Sequence, residues 1–278
     1  EKVIYRHSEK INKLSKNITS EIIPLEKKRI SKNKNSLNKI FNINKKYSGW
    51  TLNDVKIKTN HKPKFFDHNP KFRKKFDFNK KTDFVILPEI FAHLANDLLI
   101  KNDIPYAIFV QNGYAINFTN NYKHLDLAYK KAKLILSVSQ DTTKIINHVY
   151  GTYSKEILNM NLAIGSDKID FKLKKENLIT YMPRKLPFHS QKLLFLLKNR
   201  LPNNWKIKPL EKISDKVLYD NFRKSKIFLS FSFMEGLGAP PIEAAKEGNK
   251  IIGYTGEGGN EYWKKPIFTK ISNGDFSS

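Results

Sequence analysis

The sequence contains no cysteine, which excludes disulfides and thiolate metal sites and leaves the redox compartment open. No apolar run approaches the roughly 20 residues that a membrane-crossing helix needs. Acidic residues are scarce: 26 Asp and Glu stand against 51 Lys and Arg, a net charge of +25. Arginine is scarce too, limited to Arg6, Arg29, Arg73, Arg184, Arg200 and Arg223. Phosphate and base recognition favour the planar arginine fork, so a charge made mostly of lysine argues against nucleic acid as the partner. The seven histidines show no metal-ligand spacing, and no metal site is expected.

What is present is unevenly placed. Residues 27–81 hold 18 Lys and Arg against three Asp, +15 of the total charge. Such a stretch reads either as a solvated lysine-rich surface or as a contact with an anionic membrane. The composition fits a cytoplasmic protein, with the inner membrane surface as the place for that contact.

The 278 residues are enough for two medium domains. KVIYRHSEKINKLS reads as an amphipathic helix and SEIIPL as a short strand. Residues 27–81 have weak periodicity and many Asn, Lys and Phe, and read as mostly irregular. From Asp83 onward the pattern alternates. FVIL (84–87) reads as a buried strand, IFAHLANDLLIKN (90–102) as a helix, YAIFV (106–110) and LILSV (134–138) as strands, and QDTTKIINHVY (140–150) as a helix. A fourth apolar run, EILNMNLAI, follows. SDKIDFKLKKEN (166–177) is polar and reads as a linker. The alternation then restarts: LITYM, WKIKPL, IFLSFS and KIIGYT as strands, with helices over SQKLLFLLKNR, SDKVLYDNFRKS (Ser214 as N-cap) and PPIEAAKEG. Strands alternating with helices predict parallel, doubly wound sheets. The expectation is an α/β protein of two Rossmann-like domains facing a cleft, 1–165 and 178–278, joined by the linker 166–177.

The chemistry concentrates in SFMEGLGAPPIEAA (232–245). In parallel α/β sheets, ligands sit beyond the carboxyl ends of the strands. Residues 233–239 are expected as a loop there, holding Glu235, with Glu243 in the first turn of the next helix. Gly236 and Gly238 permit a sharp turn and close approach to a ligand. Pro240 and Pro241 suit a first helical turn. The helix N-terminus carries partial positive charge, which suits phosphate or diphosphate. A carboxylate is a double acceptor for a sugar or ribose diol. One ligand carrying a ribose, a diphosphate and a second sugar would use all of these features. A second glycine turn, GYTGEGGNEYW, follows the next strand with Gly258 and Gly259.

FLSFSFMEGLGAPPIEAAKEGNKIIGYTGEGGNEYW resembles the C-terminal, donor-binding domain of retaining GT-B glycosyltransferases of the family 4 type, whose signature is two glutamates separated by seven residues. The resemblance implies that Glu243 binds the nucleotide ribose and that Glu235 stands beside the donor sugar. It implies that Gly236, Leu237, Gly238, Gly258 and Gly259 contact sugar and phosphate. Arg184 and Lys185 of YMPRK stand where the family places basic residues for the diphosphate. PYAIFVQNGY resembles the segment that brings acceptor-side residues to the cleft, placing Gln111 and Asn112 there, with Glu89 of ILPE beside them. The family needs no bound metal or cofactor; a nucleotide-diphosphate sugar is the substrate, and a glycan or lipid-linked molecule the acceptor. The chain opens inside the family's first helix and stops soon after the EYW turn, so the resemblance implies two domains shortened at its ends.

Two other classes stay open at this point. One is a same-fold epimerase or phosphorylase, although no pyridoxal-phosphate lysine signature is seen. The other is a non-enzymatic basic binder of nucleic acid or membrane, which leaves Glu235 and Glu243 unexplained.

Overall fold

The computed structural model describes residues 2–27, 52–58, 71–117, 121–153, 156–160, 162, 164 and 174–277. Most of the basic segment 27–81 and of the linker 166–177 lies outside these residues; Glu176 and Asn177 already belong to a strand. The chain forms two compact units, one drawn from 1–138 and 142–161, the other from 139–141 and 162–278. No helix among the described residues is long and apolar enough to cross a membrane.

The first unit opens with α1 (Lys2–Leu14), as the amphipathic pattern predicts. Short strands follow: β1 (Glu21–Ile22), β2 (Leu25–Lys27), β3 (Val55–Ile57) and β4 (Lys71–Phe72). β1 pairs with β4 in parallel, and β2 with β3 antiparallel. Arg73 ties this layer together, its Nε 2.8 Å from Glu21 Oε2 and its Nη1 2.6 Å from Asp83 Oδ2. Hydrogen bonding from Arg73 holds the Asp83 carboxyl below its ordinary range.

The main sheet of this unit is parallel, in the order β5 (Val85–Pro88), β6 (Tyr106–Val110), β7 (Leu134–Ser137), β8 (Ile157–Asn159). β6 is buried along its whole length, as its unbroken apolar run predicts. β5 differs from the expected buried strand. It lies at the sheet edge, and Phe84 and Ile86 are each 51% exposed. The helix expected over 90–102 is also broken, into a 3-10 helix (Glu89–Leu94), α2 (Ala95–Leu98) and a second 3-10 turn (Ile100–Asn102). Residues 92–96 are buried in succession, so the segment has no single wet face of the kind a regular amphipathic helix presents. Next come α3 (Tyr122–Lys131), capped by the Asn121 side chain, and α4 (Gln140–Tyr150). Leu94, Leu99, Ile108, Leu125, Tyr129, Ile135 and Ile146 form the center of the core.

The second unit is a five-stranded parallel sheet, ordered β10-β9-β11-β12-β13. Its elements are β9 (Glu176–Tyr181), α5 (Pro187–Leu197), β10 (Lys206–Pro209), α6 (Asp215–Lys224), β11 (Ser225–Glu235), α7 (Ala239–Lys246), β12 (Lys250–Glu257) and β13 (Phe268–Lys270). Ser214 caps α6, its hydroxyl accepting from the Val217 N–H, as expected. One core, around Phe222, Phe228, Ala244 and Ile251, takes residues of α6 and α7. The other, around Tyr181, Leu229, Phe231 and Tyr254, takes Leu193 and Leu194 of α5. At the amino ends of the strands, Lys175 Nζ donates to the carbonyls of Phe222 (3.0 Å) and Glu247, and Arg223 Nε lies 3.3 Å from Glu247 Oε2.

Candidate functional site

The carboxyl end of β11 is not the loop that the sequence predicts. β11 runs on through Glu235, which pairs in register with Glu257 of β12 after an irregularity between Ser232 and Glu235. Met234 sits in that irregularity at φ 47, a left-handed conformation that a non-glycine residue adopts at a cost of about 1–3 kcal/mol. Its N–H donates to Glu257 Oε2 at 3.1 Å, and Glu257 is itself left-handed at φ 66. Strain of this kind persists where surrounding bonds over-determine it. Nothing in their residue types marks Met234 and Glu257 as left-handed; only the register between β11 and β12 reveals them.

Glu235 meets Lys185, whose Nζ lies 2.9 Å from Glu235 Oε1, with about a third of the lysine side chain and a quarter of the glutamate exposed. Arg184, beside Lys185 in the turn after β9, is exposed and makes no ion pair among the described residues.

The two glycine turns pack backbone on backbone. A Cβ added at Gly258 would lie 1.9 Å from the Gly236 carbonyl oxygen, so only glycine fits. Gly238 is left-handed at φ 78 and caps α7. Its carbonyl accepts from the Tyr262 hydroxyl at 2.8 Å, and burial holds the Tyr262 phenol above its ordinary range. Gly259 lies against the Trp263 and Tyr262 side chains, and Leu237 is partly exposed between the two loop glycines. Tyr262 was not singled out by the sequence, although it belongs to the EYW turn that the glycine motif marks.

α7 begins at Ala239, so Pro240 and Pro241 fall within its first turn and Glu243 within its second. The sequence expected Glu243 one turn earlier. The prolines also remove two N–H groups from the helix start, leaving fewer backbone donors for an anion there than the motif implies. Glu243 is 5% exposed, and the Tyr219 hydroxyl of α6 donates to its Oε1 at 2.7 Å. Tyr219 carries no sequence signal beyond its place on the apolar face of α6.

In the first unit, the structure brings Glu89, Gln111 and Asn112 together where β5 and β6 end. Glu89 Oε2 accepts the Gln111 N–H at 3.2 Å. Burial pushes the Glu89 carboxyl up to about 7, against the opposing effect of backbone N–H groups from Gln111 and Asn112. The Asn112 side chain caps the following 3-10 turn by accepting from the Tyr114 N–H at 2.9 Å.

No protein-family model matches the chain, and the comparison with curated proteins finds no match. Solved structures do match. TarM superposes with a TM-score of 0.52 at 12% identity, over 71% of this chain and 46% of TarM. A UDP-forming α,α-trehalose-phosphate synthase from Burkholderia xenovorans gives 0.52 at 11% identity, over 72% of this chain and 64% of that one. The trehalose-6-phosphate synthase OtsA gives 0.51 at 10% identity, over 72% and 63%. The chain thus spans less than two thirds of the length of each of these structures. At such identities the likeness is one of fold: the chain is built of two Rossmann-like α/β units with parallel sheets, the architecture of the GT-B glycosyltransferases.

Proposed function

We propose that this chain belongs to a glycosyltransferase that moves a sugar from a nucleotide-diphosphate sugar to the hydroxyl of a glycan or lipid-linked acceptor, with retention at the anomeric carbon and without a metal. The observation that carries the reading is the Lys185–Glu235 pair beside the interlocked turns at Gly236 and Gly258. A cation and an acceptor carboxylate meet at the carboxyl edge of a parallel sheet, where such sheets bind ligands, and the two buried glycine turns lock that edge in place. The fold neighbours that are UDP-forming synthases make uridine diphosphate the first nucleotide to try.

In this mechanism Lys185 turns from Glu235 to the incoming diphosphate, and Arg184 forks onto two of its oxygens. Glu235, released, accepts hydroxyls of the donor sugar. Glu243, oriented by Tyr219, accepts from the ribose. The bond between the anomeric carbon and the diphosphate breaks, and its electron pair leaves with the diphosphate. The acceptor oxygen bonds to that carbon on the same face, and the acceptor proton passes to the departing phosphate oxygen. Preorganised charge at a departing group is often the largest catalytic contribution. Gln111, Asn112 and Glu89 are the acceptor-side residues.

A thermal-shift screen with UDP-, GDP- and ADP-sugars tests the reading, because a ligand that binds only the folded state raises the apparent Tm. At least one nucleotide sugar should raise it, and the corresponding free sugar should not. If no nucleotide sugar or nucleotide diphosphate shifts the transition, this site does not hold a donor.

A further inference from the structure

We infer that the outer face of α5 is a docking surface for an anionic lipid membrane. The inference is independent of the proposed enzymatic activity. α5 is apolar nearly all round, yet Ser190 is its only fully buried residue. Its inner side packs Leu193 and Leu194 against the sheet. Its outer side leaves Phe188 66%, Phe195 71% and Leu196 42% exposed. Phe188 and Phe195 are seven residues apart, two turns on one face, so their rings stand roughly 10 Å apart along the helix. Single exposed apolar side chains need no explanation, but three on one helix of 11 residues form a stripe.

Charge decides what covers the stripe. Residues 186–202, past the two cations assigned to the donor site, hold Lys192, Lys198 and Arg200 and no Asp or Glu. All three are exposed on or just after α5. With one face held by the sheet, the outer face of α5 offers a lipid surface two aromatic rings and a leucine beside Lys192, with Lys198 and Arg200 just past the helix end: the rings fit the headgroup boundary and the basic stems reach the phosphates. A protein partner would need an acidic rim around an apolar groove; an anionic bilayer supplies both chemistries over any length.

The test is co-sedimentation of the chain with neutral phosphatidylcholine vesicles and with vesicles containing about 30% phosphatidylglycerol. Binding is expected to the anionic vesicles alone and to weaken with salt, because the phosphate attraction is screened. Phe188→Ser with Phe195→Ser leaves the charge unchanged and should weaken binding about tenfold or more. Lys192→Glu with Lys198→Glu should also weaken it. Lys74→Glu with Lys75→Glu makes the same change in charge within residues 27–81 and should weaken it much less. Circular dichroism and the Tm confirm that each variant is folded. A folded double-phenylalanine variant that binds as the wild type does would overturn the inference. So would equal loss in the two lysine variants, which would mark diffuse charge attraction. Self-association of the chain in ultracentrifugation that disappears in the phenylalanine variant would also overturn it, by assigning the stripe to a second copy.

Discussion

Lys185 Nζ lies 2.9 Å from Glu235 Oε1, joining the turn after β9 to the last residue of β11, its neighbour in the sheet. An ion pair this accessible contributes little to stability, about 0–1 kcal/mol. Its value under the proposed mechanism lies in exchange: each partner is held in place and both are released when a diphosphate takes the lysine. Glu235→Gln should therefore leave UDP binding unchanged or tighter while turnover falls about a hundredfold or more. Lys185→Ala should weaken UDP binding itself. Calorimetry that finds UDP weakened equally by the two substitutions would end the exchange idea.

Arg184 has the geometry for a fork. Its guanidinium is exposed in the same turn, and the fork matches two phosphate oxygens where an ammonium offers one point of charge. Arg184→Lys is expected to lower turnover and Arg184→Ala to lower it further, by about 10²–10³. Transfer by the alanine variant at the wild-type rate would place the diphosphate elsewhere.

Gly258→Ala should disrupt the site from a distance. The added methyl would fall 1.9 Å from the Gly236 carbonyl oxygen, backbone that cannot rotate away. The two turns must separate, at about 3 kcal/mol by the scale of overpacking. A lowered Tm together with lost UDP binding is the expected result. A variant as stable as the wild type would show that the turns are not locked.

Tyr219 and Glu243 form a buried hydrogen bond of 2.7 Å. Tyr219→Phe removes a donor from a buried carboxylate and should destabilise the unit by about 1–3 kcal/mol. Under the ribose assignment it should also weaken binding of the intact nucleotide sugar, as should Glu243→Gln. Unchanged donor affinity in a folded Glu243→Gln variant would remove Glu243 from the ribose site and leave it a structural acid.

Glu89 gives the first unit a pH signature. Its folded value of about 7 stands above the ordinary 4.5, because burial disfavours the carboxylate. Between these values the folded state holds more protons than the unfolded state, so stability falls as pH rises. The loss should begin near pH 4.5 and be complete above about pH 7, on the order of 3 kcal/mol. Glu89→Gln keeps the acceptor for the Gln111 N–H and should flatten this slope. Chemical denaturation at pH 5 and pH 8 measures it; an unchanged slope would assign the effect to another group.

Local pattern determined much of this protein. The unbroken apolar run Tyr106–Val110 reads as a buried strand and is one, the spacing of apolar residues fixed α4 at Gln140–Tyr150, and Ser214 marked the start of α6. Each of these rests on forces within a few residues of chain. The residues at 184–185, 235–238 and 258–259, on which the proposed donor site rests, were likewise singled out by their types and spacing.

Only the tertiary structure decided how those residues meet. Lys185 reaches Glu235 because β9 and β11 are neighbours in the sheet, although 50 positions of chain separate the two residues. Glu235 ends a strand because pairing with β12 carries β11 past its last apolar residue and forces Met234 left-handed. Glu243 is buried because α6 lies beside α7 and brings Tyr219 to it, and Ile86 is exposed because β5 is an edge. Strand order and helix packing are contacts between distant parts of the chain, and no local period encodes them.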